Sequence, residues 1–198
     1  MLRNSVSKRS LSLIFLGLLL ALAVLTVALR PKGALADERV PFNGTLTVQF
    51  VVSQICAPGD TNCTACTSQN SFYVEAQGIG DTSLGPLFVY LLKCFNPSGF
   101  QGLGSYAGTL TTTAPNGKNS VTWAYSGQNN TPADFYGFGP FDGTLTITGG
   151  TGKFEGAHGS ASFTAASGPS FTAGPSPIQY AGTAFYSVHG TIAQRDHD

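Results

Sequence analysis

From Phe42 onward, apolar and polar residues alternate with a period of two. Phe42, Leu46, Val48 and Phe50 fall on one face, and Asn43, Thr45, Thr47 and Gln49 on the other. That period marks half-buried β-strands. It recurs at Phe72-Val74-Ala76, Val121-Trp123-Tyr125 and Leu145-Ile147, and more weakly at Ala161-Phe163 and Tyr186-Val188. Turn-forming clusters separate the runs: Pro97-Ser98-Gly99, Pro115-Asn116-Gly117, Gly149-Gly150-Thr151-Gly152 and Gly168-Pro169. Asn116-Gly117 is read as a hairpin turn whose two central residues both accept positive φ. The pattern predicts eight strands, at 42–53, 71–80, 86–95, 104–113, 119–126, 140–148, 154–165 and 180–192, with no helical period in the body. Strands of this kind must bury one face, and ring closure removes exposed edges. Glycines inside the strands (Gly44, Gly78, Gly108, Gly143, Gly182) favour a barrel over a two-sheet sandwich, because strong curvature needs positions without a side chain. The fold class is therefore all-β, a closed eight-stranded antiparallel barrel. Its expected core holds Leu46, Val48, Phe50, Val74, Leu110, Trp123, Leu145, Ile147, Phe163 and Val188.

The first forty residues follow a different rule. Arg3, Lys8 and Arg9 precede an uncharged apolar run from Leu11 to Leu29, and Ala34-Leu35-Ala36 offers a small-residue cleavage site. This is the layout of a secretory signal helix cut after Ala36. The run is also long enough to stay as an anchor. The organisation expected is a signal peptide (or uncleaved anchor) over 1–36, a linker over 37–41, the barrel over 42–192 and a polar tail over 193–198. The protein is then secreted, or alternatively held on the outer side of the plasma membrane. A membrane partner arises only if 11–29 remains as an anchor.

Charge sharpens that division. Ten Lys+Arg balance ten Asp+Glu over 198 residues. Five of the bases, and none of the acids, precede Asp37, so the body has five bases against ten acids and a net charge of −5. A nucleic-acid partner has no electrostatic footprint in such a body. All four cysteines (Cys56, Cys63, Cys66, Cys94) lie in the body, and in an oxidising compartment they read as two disulfides. The preferred pattern ties Cys94 to one cysteine of the 56–66 segment and pairs the other two locally. A Cys63/Cys66 redox dithiol and a four-cysteine zinc site are the alternatives.

The segment from Thr146 to Gly159, with Gly149-Gly150-Thr151-Gly152-Lys153-Phe154 at its centre, resembles the strand–GGTGxF–strand signature of dirigent proteins, allene oxide cyclases and bacterial exported proteins with the same barrel. The resemblance implies an eight-stranded, calycin-type barrel with an apolar cavity. Gly149, Gly150 and Gly152 are expected to make a tight reversal at positive φ, and Phe154 to cover a barrel end. Where such sequences carry an arginine, this chain has His158. By parity His158, Glu75 and Asp142 face outward, which leaves no polar group inside the cavity.

No catalytic constellation emerges. His158, His189 and His197 are the only imidazoles, and neither a nucleophile elbow nor a phosphate loop occurs. No cofactor and no metal is expected. Phe135, Tyr136 and Phe138 crowd one inter-strand segment and suit a lid over an apolar ligand, with Trp123 and Phe50 lining the interior below. The expected function is an exported, non-catalytic barrel that binds a small apolar molecule. The alternatives are a cyclase- or dirigent-like enzyme steering a hydrophobic intermediate, and a cell-surface structural or adhesion module. The sequence sets no oligomeric state.

Overall fold

The alternating segments form strands β1 (Glu38–Ser53), β2 (Phe72–Thr82), β3 (Gly85–Pro97), β4 (Gly104–Thr113), β5 (Ser120–Asn129), β6 (Gly139–Thr151), β7 (His158–Ser167), β8 (Phe171–Thr172) and β9 (Tyr180–Gln194). The computed structural model describes residues 38–53, 66, 72–98, 103–132, 139–168, 171–172 and 180–194. From β1 to β7 each strand pairs antiparallel with the next, and β9 pairs with both β7 and β1. Eight long strands thus close a barrel, and the two-residue β8 adds to the start of β9 beyond β7. Segment 1–36, expected as signal or anchor, and Asp37 lie outside the described residues, as do Cys56, Cys63, Phe135, Tyr136, Phe138 and His197. Among the described residues no helix is long and apolar enough to cross a membrane.

One face of each strand fills the barrel. Leu46, Val48, Val74, Leu110, Trp123, Leu145, Phe163 and Val188 are all buried, and Phe50 and Ile147 pack partly buried against them. The expected linker does not lie apart from the barrel. Residues 38–41 are the start of β1, because Glu38–Pro41 pair with Thr191–Gln194 of β9. Gly78, Gly108 and Gly143 work as expected: a Cβ there would collide with the facing strand's carbonyl oxygen at Thr47, Leu92 and Ser126 respectively. Strong curvature brings these backbones together.

Two turns differ in detail from the sequence reading. Between β4 and β5, Gly117 N–H donates to the Ala114 carbonyl at 2.9 Å, so Pro115 and Asn116 are the central residues and Gly117 follows them at φ 69°. Proline's fixed φ suits the first central position. In the glycine-rich segment only Gly152 has positive φ, at 60°. Gly149 and Gly150 continue β6 instead, and the strand expected from residue 154 begins at His158 after a 3-10 turn over Gly152–Phe154. Gly150 is needed for space, since a Cβ would strike the Phe154 carbonyl. Phe154 is 2% exposed and plugs this end of the barrel. Gly152→Ala combines a left-handed backbone with crowding against Asn119 and the Lys118 carbonyl. It is expected to cost about 1–2 kcal/mol, a fall in Tm of roughly 3–6 °C. A loss under about 1 °C by calorimetry would show that the turn relaxes freely.

Candidate functional site

The barrel has two unlike ends. The short connections 83–84, 114–119 and 152–157 lie at one, and the connections 54–71, 98–103, 130–138 and 168–179 at the other. Near the short-connection end the interior is plain packing. Phe42 stacks on Trp123 at 4.8 Å, and the Trp123 indole Nε1–H donates to the buried Thr112 hydroxyl at 3.2 Å.

Toward the other end the interior changes character. On β3 the inward positions run Leu87, Val89, Leu91, and the next in phase is Lys93, only 5% exposed. Its Nζ lies 4.1 Å from the ring centre of Tyr106, 4.8 Å from Phe141 and 5.1 Å from Tyr125. The cage is continuous with further rings: Tyr125 stacks on Phe163 at 4.9 Å, and Tyr186 meets Phe141 at 5.4 Å and Phe163 at 5.5 Å. Burial without a countercharge among the described residues pulls the Lys93 amine from 10.5 down to about 7. The quadrupoles of the surrounding rings attract its cationic form, so the amine is poised between charged and neutral states.

Three phenols share this space. Burial pushes Tyr125 and Tyr186 well above the usual tyrosine range, and each acts on the other. The two hydroxyls act on each other without meeting hydrogen-bond geometry, and among the described residues neither has another hydrogen-bond partner. Tyr106 is also raised by burial, opposed by a hydrogen bond from Asn129. All three hydroxyls therefore stay protonated at neutral pH and can donate. Buried polar groups are otherwise nearly always satisfied, and this cluster departs from that rule.

This corrects the sequence reading that no polar group faces the cavity. In the sequence Lys93 is in phase with Leu87, Val89 and Leu91, while Tyr125 and Tyr186 read only as apolar members of their strands. Of the expected ligand-lining residues, Trp123 is fully buried against Phe42, one inward position from Tyr125. Phe50 is half-buried with its ring over Gly182. His158, Glu75 and Asp142 face outward as expected, and so does His189. Glu75 accepts a hydrogen bond from the Tyr90 hydroxyl at 2.9 Å. Cys66 and Cys94 form a disulfide, the expected tie between that segment and the end of β3. It takes Cys66 out of any Cys63/Cys66 dithiol. Among the described residues no cluster of His, Cys, Asp or Glu is suited to hold a metal ion.

On the outer wall a shallow groove of about 630 Å³ runs beside Thr47, Gln49, Ile79, Phe88 and Tyr90. Ile79 and Phe88 are exposed neighbours across β2 and β3.

The molecule is thus a closed antiparallel eight-stranded barrel whose interior carries one ionisable amine among aromatic rings. No family model and no curated protein matches the chain. Among solved structures it is similar to a pterocarpan synthase dirigent protein, at 11% identity and a TM-score of 0.39, over 80% of this chain and 93% of that one. The barrel assignment rests on the strand pairing itself, which is the architecture that the Thr146–Gly159 segment implies.

Proposed function

We propose that this is an exported barrel protein that binds a small, largely apolar molecule in the half of its interior around Lys93. The observation that carries this reading is the buried Lys93 amine, with the Tyr125 and Tyr186 hydroxyls that meet no hydrogen-bond geometry among the described residues, inside a ring of Tyr106, Phe141 and Phe163. A core that served packing alone would be more stable with apolar residues at these positions, since buried unsatisfied polar groups are costly. Export is supported by the basic and apolar N-terminal layout together with the Cys66–Cys94 disulfide.

A cyclase- or dirigent-like activity is the second reading, and the same amine favours it. Such an enzyme acts chiefly by holding a reactive hydrophobic molecule in one conformation, and Lys93 supplies the interior polar group it needs. Titration of the secreted protein with the neutral dye N-phenyl-1-naphthylamine tests binding. Saturable 1:1 binding, with a change in the fluorescence of the sole tryptophan, Trp123, is the expected result. Absence of saturable binding overturns the ligand reading.

A further inference from the structure

We propose that the interior site is a receptor for an acidic oxygen: the ligand is a weak organic acid whose carboxylate or phenolate meets Lys93 and the hydroxyls of Tyr125 and Tyr186, while its apolar body lies against Phe141 and Phe163. This deepens the binding role proposed above and rests on it.

The donor inventory leads to that class. A lysine ammonium offers donors and no acceptor, and a phenol held protonated can always donate. Among the described residues neither the Tyr125 nor the Tyr186 hydroxyl meets hydrogen-bond geometry. Since at most one of the pair can donate to the other, the site holds at least one unspent hydroxyl donor beside the amine. The charge balance points the same way. Among the described residues, the groups facing Lys93 are Tyr106 on β4, Tyr125 on β5 and Phe141 on β6, with Phe163 on β7 and Tyr186 on β9 completing the cage. None of these carries a negative charge at neutral pH. The carboxylates Glu75 and Asp142, on the adjoining β2 and on β6, are exposed on the outer wall. A neutral carbonyl would use the donors but leave the ammonium unbalanced. An anion satisfies both, and charge-assisted hydrogen bonds in a dry site are the stronger kind. The acid would also draw a proton onto Lys93, because a nearby opposite charge favours the charged form.

Matched probes test this: octanoate against 1-octanol, and 2-naphthoate against 2-naphthalenemethanol, each by isothermal titration with the full mature protein. The acid is expected to bind at least about tenfold more tightly than its alcohol. Lys93→Met is expected to bring that ratio to about one, and Tyr186→Phe to reduce it several-fold. Titration in buffers of different ionisation enthalpy reads proton uptake, expected to approach one proton per acid bound near pH 8 and to vanish near pH 6. Equal binding of acid and alcohol to the native protein overturns the inference and leaves the apolar-ligand reading standing. Tight acid binding that is indifferent to Lys93→Met and takes up no proton overturns it too. If neither member of either pair binds, both readings fall.

Discussion

Lys93→Met is expected to stabilise the ligand-free barrel at neutral and lower pH by about 2–4 kcal/mol, and this gain is expected to shrink as pH rises. The amine is fully buried and displaced from 10.5 to about 7. Each unit of displacement corresponds to about 1.4 kcal/mol, which sets a ceiling near 5 kcal/mol. Attraction to the surrounding rings offsets part of that, by roughly 1–3 kcal/mol in all. Methionine matches the length of the lysine stem and adapts to irregular apolar space. Between pH 7 and 10.5 the unfolded chain carries a proton on Lys93 that the folded barrel does not. Native stability therefore climbs with pH in that window, by up to about 1.4 kcal/mol per unit, and is flat below it. Tyr106, Tyr125 and Tyr186 act in the opposite sense above about pH 10, because they ionise more readily in the unfolded chain. Both proteins contain them, so the difference between native and variant isolates the lysine. Urea unfolding of the two proteins at pH 6, 8 and 9.5 makes the comparison. A difference that does not change with pH would mean that Lys93 is not buried as described.

Trp123→Ala should have the opposite sign and a similar or larger size. The indole is fully buried, stacked on Phe42, and its Nε1–H reaches the Thr112 hydroxyl. Large-to-small changes at such sites cost about 3–5 kcal/mol, because the cavity left behind collapses only in part. The barrel wall makes collapse harder, since each strand is held in register on both sides. The Thr112 hydroxyl still reaches the Val121 carbonyl at 3.5 Å, so no new unsatisfied donor adds to the loss. The expected signature is a lower denaturant midpoint with an unchanged slope. A loss below about 1 kcal/mol would indicate that this half of the interior is loosely filled. Lys93 and Trp123 thus divide the barrel between a half that is packed for stability and a half that gives up stability to enclose an amine.

Most of the wall was readable in the chain, because a strand with one wet face writes its period directly. Leu46 and Val48 against Thr45 and Thr47 left no other arrangement, and the outward placement of His158 followed from Ala157, Ala161 and Phe163. The glycine-rich turn was harder. Gly149, Gly150 and Gly152 look alike in sequence but serve different needs: Gly150 makes room for the Phe154 backbone, and only Gly152 turns left-handed. The site was missed for a physical reason. A lysine in phase with three inward aliphatics is normally assumed to reach solvent past the strand end. Whether it does depends on which rings enclose it, and Tyr106, Tyr125 and Phe141 come from three other strands. Local periodicity does not encode that encounter.

The pairing of β1 with β9 has a consequence for how the barrel comes into being. Glu38 lies beside Gln194, so the first and last strands of the body are neighbours with the longest register in the wall. During synthesis, β1 can zip to β2 but must leave its other edge open until β9 emerges. Until that moment the interior, Lys93 included, is open to water, and the amine keeps its ordinary proton. Closing the last seam is therefore also the step that dries the lysine, so the assembly of the wall and the charging state of the site are joined in a single event.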